Sequence, residues 1–291
     1  MFEMRVTQSM LSNNLLRNLS NSYSRLGKLQ EQLSTQKKIT RPSDDPVVAM
    51  LGMGYRTDTN RIEQFKRNIG EVKNWVETTD DALDHAVNAL QRIRELVIQA
   101  SNGTYEEGQR SYIGKEIEEL KKHIQTIGNT QMAGKYIFNG TETNVRPDGN
   151  FADGTIEIEV FQGIKIPVNT NGKDLFGDLI SDGGVLDQII DDLQNGNVPD
   201  EDISNHIAVI DEEIDRFLSE RASIGARQNR VDLMEERLGM QEVISKRILS
   251  DNEDIDIEKA IMDLTIQESI LRASLSVGSR MIQPTLVDFL R

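Results

Sequence analysis

The histidines are the residues of this chain whose type most often supports catalysis or metal binding. His85, His123 and His206 lie far apart in the sequence, and none belongs to an H-E-x-x-H pair that could hold zinc on one helix face. The chain also lacks a G-x-S-x-G nucleophile motif and a P-loop. We therefore expect all three histidines to be solvated surface residues, and we predict no catalytic, cofactor-binding or metal-binding residues.

Two further clusters resemble known sites but lack the spacing that those sites need. Gly52 and Gly54 lie inside a helical pattern, whereas the glycines of a dinucleotide-binding turn follow a strand. Residues 251–256 resemble part of a calcium loop, but the glycine in the middle and the closing glutamate are missing. The interpretation that fits better is a break between helices. An enzyme would require an unrecognised site elsewhere, and we predict that the chain is not an enzyme and binds no cofactor.

The composition excludes several classes of partner. A net charge of −15 over 291 residues is incompatible with a general nucleic-acid binder, since phosphates require basic partners. No run of 18 apolar residues is present, so we predict no membrane insertion. The absence of cysteine excludes disulfides and thiolate sites. The first residues are polar and helical in pattern, so we expect either a cytosolic protein or export without a cleaved signal.

The middle of the chain predicts long helices with coiled-coil packing. Asp45 and Pro46 are typical of an N-cap and a first-turn proline, and a long helix should start there. Apolar residues recur every seven positions, the signature of helices that pack along one another. The two columns of this helix are Ile62, Ile69, Val76, Leu83, Leu90 and Val97, and Phe65, Val72, Thr79, Ala86, Ile93 and Ala100. A later helix repeats the pattern at Ile203, Ile210, Phe217, Ile224, Val231 and Leu238.

The period changes to that of β-strands after the third helix. Residues 155–160 alternate strictly between apolar and polar, and residues 164–168 predict a second strand after a Gln162-Gly163 turn. We predict a small β-rich insertion over residues 137–182, packed within itself and removable without unfolding the helices. The remaining predicted segments are an N-terminal helix (1–42), two parts of a helical rod (43–136 and 183–250) and a C-terminal helix (251–291).

The two terminal segments carry matching apolar columns spaced by three, four or seven. Such a narrow column needs a partner helix, so the two segments either pair with each other or pair with other copies. We predict that both are disordered until assembly, because their ordering is not offset by burial in a single chain. The predicted self-assembly residues are Leu15, Leu19, Leu26, Leu29, Leu33, Ile257, Ile261, Leu264, Leu271 and Leu275.

Three stretches resemble the bacterial flagellin superfamily. They are residues 33–46 (LSTQKKITRPSDDP), residues 221–230 (RASIGARQNR) and the C-terminal stretch 253–275. Where filament flagellins usually have S-A-x-D-D-A-A-G, residues 41–46 are RPSDDP. This form is similar to that of the hook–filament junction proteins, as are residues 4–10 and 134–140.

The resemblance implies a mainly α fold with a small β insertion, an elongated antiparallel helical bundle like that of flagellin. It implies a structural subunit of the flagellum that joins the hook side to the flagellin filament through coiled-coil packing of its terminal helices. It also implies a ring of roughly eleven copies, contacts with a neighbouring hook-associated protein and with flagellin, and a cytosolic export chaperone. Secretion would use the flagellar type III apparatus. A minor flagellin and a cytosolic coiled-coil adaptor are the alternatives.

Overall fold

The computed structural model describes residues 8–101, 107–194 and 199–282, and helices dominate these residues as predicted. The helices are α1 (Gln8–Thr35), α2 (Pro46–Ser101), α3 (Glu107–Gly128), α4 (Asp178–Ile180), α5 (Val185–Gln194), α6 (Asp200–Glu253) and α7 (Ile257–Ile282). A π-helical turn, Lys173–Gly177, precedes α4. The strands are β1 (Gln131–Met132), β2 (Lys135–Tyr136), β3 (Glu157–Phe161) and β4 (Ile164–Pro167). The chain divides into one unit of residues 61–241 and another of residues 1–60 and 242–291.

The larger unit contains the coiled-coil packing that the heptads predict. Every member of the predicted columns of α2 and α6 is buried except Phe65, which is half-buried. Ion pairs fix the direction of the two helices: Lys73 of α2 pairs with Asp232 of α6 at 3.2 Å, and Asp84 pairs with Arg221 at 2.7 Å. Because the residue numbers of the paired side chains increase along α2 and decrease along α6, the two helices are antiparallel.

The predicted start of α2 is confirmed by its capping geometry. Asp45 Oδ1 accepts hydrogen bonds from the backbone N–H groups of Val47 (3.0 Å) and Val48 (3.1 Å). An aspartate in this position satisfies N–H groups that have no partner within the helix. In the second column, Thr79 is buried because its hydroxyl donates to the carbonyl of Trp75 at 2.7 Å.

There are two antiparallel hairpins: β1–β2 lies just before the predicted insertion and β3–β4 lies within it. The buried side chains of the insertion belong to the same hydrophobic core as those of the helices. The ring of Phe176 packs edge-on against Phe138 of the insertion (5.0 Å between centroids) and against Phe217 of α6 (5.2 Å). Phe161 of β3 stacks on Phe65 of α2 at 6.1 Å. The expectation of an insertion packed within itself was therefore wrong, because its aromatic residues complete the core of the helices.

Several predicted boundaries differ from those observed. The α6 helix continues through residues 251–253, so the break before α7 starts at Asp254 rather than at Asp251. The first hairpin begins at Gln131, earlier than the predicted insertion, and β2 ends at Tyr136. The motif at residues 4–10 lies largely outside the described residues.

Candidate assembly site on the terminal helices

The helices α1 and α7 pack against each other within the chain. All five predicted leucines of α1, from Leu15 to Leu33, are half-buried, whereas Leu16 and Tyr23 between them are exposed. The predicted column of α1 is thus the face that meets α7. Of the two partners left open by the spacing, the other terminal helix is the one found in this chain.

The face of α7 that meets α1 is only partly the predicted one. Apart from Glu268, its least exposed residues form two heptad columns, which are Leu264, Leu271 and Gly278, and Ala260, Gln267 and Ser274. The first column includes two predicted residues. The second lies one position before the predicted column of Ile261 and Leu275. Ile257, Ile261 and Leu275 are 46%, 52% and 45% exposed.

Small residues occur in both columns of this face of α7. A Cβ atom added to Gly278 would lie 2.7 Å from Leu15 Cδ2, so the two helices come closest where α7 has no side chain. Ala260 is buried for the same reason. Our search for large apolar residues missed this column. The available signal was the seven-residue spacing of Ala260, Gln267 and Ser274.

After pairing with α1, the helix α7 still exposes apolar side chains on two flanks. At 100° per residue, Ile266, Ile270 and Val277 lie on one side of the buried columns. Ile257, Ile261 and Leu275 lie on the opposite side. The polar residues Thr265, Arg272 and Ser276 occupy the remaining surface. Among the described residues of α7, these two flanks keep exposed apolar side chains.

The segments next to α1 and α7 form a short antiparallel bridge. Lys38 N–H donates to the Glu253 carbonyl at 2.7 Å, and Ile255 N–H donates to the Gln36 carbonyl at 3.0 Å. Lys37 Nζ lies 2.6 Å from Asp254 Oδ1. This hydrogen bond, followed by one from Ser250, lowers the pKa of Asp254, and it also raises the pKa of Lys37.

The residues that could have supported chemistry have structural surroundings. His85 and His123 are exposed as expected, but His206 is half-buried and its Nε2 lies 2.7 Å from Asp192 Oδ2 of α5. The expectation of a solvated surface residue was therefore wrong for His206. No cluster of three potential metal-binding side chains occurs among the residues that the structure describes. Within the same residues, no helix has the length and apolar character needed to cross a membrane.

The motif at residues 221–230 acts as a set of ties between elements. The Arg221 guanidinium contacts Asp80 Oδ1 (3.1 Å) and Asp84 Oδ1 (2.7 Å), one turn apart on α2. Arg227 Nη1 donates to the carbonyl of Asn169 in the insertion at 3.4 Å. Because a guanidinium has several donors in a fixed plane, one arginine can hold two carboxylates.

Comparison with known proteins places these elements in a family. Residues 6–143 match the bacterial flagellin N-terminal helical region, and residues 207–290 match the bacterial flagellin C-terminal helical region. The chain belongs to the flagellin family. Flagellin-family proteins are structural and non-enzymatic, so this chain is a structural component of the bacterial flagellum. The two flagellin regions include α1 to α3 and most of α6 with α7, whereas most of the β-rich insertion and α5 lie between them.

Individual relatives come from two branches of the flagellin family. Flagellar hook-associated protein 3 of Escherichia coli K12 is 25% identical over 301 residues, covering 93% of this chain and 95% of that protein. Flagellin of Bacillus subtilis 168 is 27% identical over 285 residues, covering 93% and 94%. The crystal structure of Bacillus cereus FlgL superposes with a TM-score of 0.59 at 23% identity, covering 68% of this chain and 99% of that one. This last likeness concerns the fold alone.

Proposed function

We propose that this chain is the subunit that joins the hook side of the flagellum to the flagellin filament. The RPSDDP sequence at residues 41–46 favours a junction protein over a filament flagellin. The relative from Escherichia coli named above is a hook-associated protein. A minor filament flagellin is the second candidate, because flagellin of Bacillus subtilis is similar over nearly the whole chain.

The observation that carries the proposal is the apolar surface that α7 keeps after pairing with α1. A terminal helix with one covered face and two exposed apolar flanks has room for helices of neighbouring copies on both sides. Packing of copies around an axis uses a contact between two different surfaces, repeated from subunit to subunit until the ring closes. The two flanks of α7 supply surfaces for such a contact.

The proposed partners follow from this role. They are further copies in a ring of roughly eleven, a neighbouring hook-associated protein, and flagellin. A cytosolic chaperone would hold the terminal segment before export, and the protein would act in the extracellular axial structure. Of the ten predicted assembly residues, Ile257, Ile261 and Leu275 remain exposed for contacts between copies, whereas the other seven pack between α1 and α7. Ile266, Ile270 and Val277 are added here on the second flank.

Charged substitutions on each flank test the proposal. Ile270→Asp and Leu275→Asp place a carboxylate on opposite flanks, at side chains that are 44% and 45% exposed in the single chain. A carboxylate buried between copies without a partner costs several kcal/mol, so we expect each variant to be exported but not incorporated. Ser276→Asp, on the polar surface of the same helix, is the matched control and should be incorporated normally.

The readout is complementation of a strain that lacks the gene, followed by quantification of the protein in sheared flagella. Low copy in sheared flagella is the result expected for a junction subunit. High copy along the filament would instead establish the second candidate, the minor flagellin. Normal incorporation of both flank variants would refute the assignment of the two flanks as contact surfaces.

A further inference from the structure

Gly52 lies inside a helix, where glycine is less stabilising than alanine. It lies in the second turn of α2, and its neighbour Gly54 is also glycine. The two differ in surroundings. A Cβ atom added to Gly54 would meet nothing within 4 Å, whereas one added to Gly52 would overlap Glu253 Oε1.

Glu253 has a buried carboxylate that occupies the space next to Gly52 where a Cβ atom would lie. It is only 4% exposed. Its Oε2 lies 2.7 Å from Arg56 Nη2 of α2 and 3.4 Å from Lys37 Nζ. A buried carboxylate requires partners of this kind, because an uncompensated charge in such a place is strongly unfavourable.

The same residue also holds the segments at the ends of α1 and α7. Its carbonyl accepts the hydrogen bond from Lys38 N–H, and the adjacent Asp254 pairs with Lys37. The Asn252 side chain donates to the Val48 carbonyl at 3.1 Å, which ties the end of α6 to the first turn of α2. Glu253 thus links three segments: residues 36–38, the start of α2, and residues 253–255.

We propose that Gly52 and Glu253, with Arg56 and Lys37, form a terminal latch that sets the register in which α1 and α7 pair. Gly52 and Glu253 are positioning residues in this proposal, which rests on the proposed role of the terminal helices in assembly. The glycine is present because only a residue without a side chain leaves space for the carboxylate.

The latch can set the register because it lies between the C-terminal end of α1 and the N-terminal end of α7. The α1 helix ends two residues before Lys37, and α7 begins three residues after Asp254. Once these segments are joined, pairing of α1 with α7 resembles the closing of a helical hairpin with a short loop. The entropy lost on bringing the helices together is then smaller than for two untethered ends. A correct register places Gly278 opposite Leu15, where α7 has no side chain to hinder contact.

Two alanine substitutions in the same helix test the latch. Gly52→Ala and Gly54→Ala raise helix propensity equally, but only Gly52→Ala displaces the Glu253 carboxylate. Hydrogen exchange is measured by mass spectrometry on the full chain, as a monomer and as a sedimented polymer. In the monomer or the polymer, wherever the wild-type amides of residues 8–38 and 253–279 are protected, we expect Gly52→Ala to accelerate their exchange by roughly tenfold or more. Gly54→Ala should match the wild type.

Glu253→Gln provides an independent variant, since it removes the charge and retains the shape. It should accelerate the same peptides and leave residues 61–100 unchanged. The latch is refuted if Gly52→Ala and Glu253→Gln exchange like Gly54→Ala in both states, or if all peptides accelerate together. These results do not depend on the junction assignment. If the wild-type chain fails to enter flagella, that assignment falls while the exchange data still decide on the latch.

Discussion

At the scale of single residues, the polar side chains of this protein connect helices rather than perform chemistry. Arg221 holds two carboxylates of α2, Glu253 rests on Gly52, and His206 pairs with Asp192. Each of these groups has a partner that neutralises or solvates it. Glu213 of α6 is the exception that has a thermodynamic consequence.

Glu213 is buried at 4% exposure with only a partial set of partners. Its Oε1 lies 3.2 Å from Arg216 Nη1, whereas its Oε2 is buried without a hydrogen bond among the described residues. Burial is the largest cause that raises the pKa of Glu213; Arg216 opposes the shift, and Asp178 and Glu212 add to it. The folded state therefore prefers the protonated form, and stability is lost as pH rises from the unfolded pKa through the higher folded pKa.

We predict that Glu213→Gln stabilises the larger unit at pH 7, because it removes a buried charge that Arg216 offsets only in part. The gain should shrink as pH falls and vanish well below the unfolded pKa of glutamate, where the wild-type carboxyl is protonated in both states. Urea unfolding followed by circular dichroism across this pH range measures the effect. Glu236→Gln, at an exposed position of the same helix, should change little. A destabilised Gln variant at pH 7 would show that the Arg216 ion pair outweighs the burial of the carboxylate.

At the scale of elements, the β-rich insertion is part of the helical core. The ring of Phe176 packs against Phe138 and Phe151 of the insertion and against Phe217 of α6. On the other side of the insertion, Asn68 of α2 donates to the Glu159 carbonyl at 2.7 Å. The hairpins are too short to bury these rings by themselves.

We therefore predict that replacing residues 139–182 with a Gly/Ser linker destabilises the helices. Exposure of Phe217 and Phe138 alone removes about 3 kcal/mol or more of burial free energy. Thermal unfolding followed by circular dichroism should show a lower Tm, and Phe176→Ala should cost about 3–5 kcal/mol. Val145→Ala, at an exposed position of the insertion, is the control. A deletion variant with the Tm of the wild type would mean that the helices do not need the insertion.

At the scale of the whole molecule, the two units differ in how much apolar surface they bury. Among the described residues, the buried hydrophobic side chains lie between Ile62 and Leu238, with the exception of Ala260. The unit that contains α1 and α7 thus has almost no core of its own. Regions with few buried apolar contacts open at low free-energy cost. This difference supports the prediction that the terminal segments become ordered only on assembly.

We predict that limited proteolysis of the dilute monomer removes roughly the first 42 residues and the residues after about 250. Both segments lack the burial that would offset the entropy of ordering. Mass spectrometry should identify a resistant product that starts near Ser43, and assembly into polymers should protect the ends. Terminal helices that resist protease in the dilute monomer would contradict the prediction and indicate that the α1–α7 pair is stable by itself.

The sequence alone determined most of the helical architecture, because periodicity and capping are local properties. The columns of α2 and α6 and the Asp45 N-cap could be predicted residue by residue, and the motifs at residues 33–46 and 221–230 indicated the family. The tertiary structure decided which column of α7 meets α1, where Phe176 packs, and why Gly52 is a glycine. Each of these depends on a side chain about 40 to 260 residues away in the sequence. Leu15 decides for α7, Phe217 for Phe176, and Glu253 for Gly52. Local spacing shows that a face will be covered, but the shape of the partner determines which face it is.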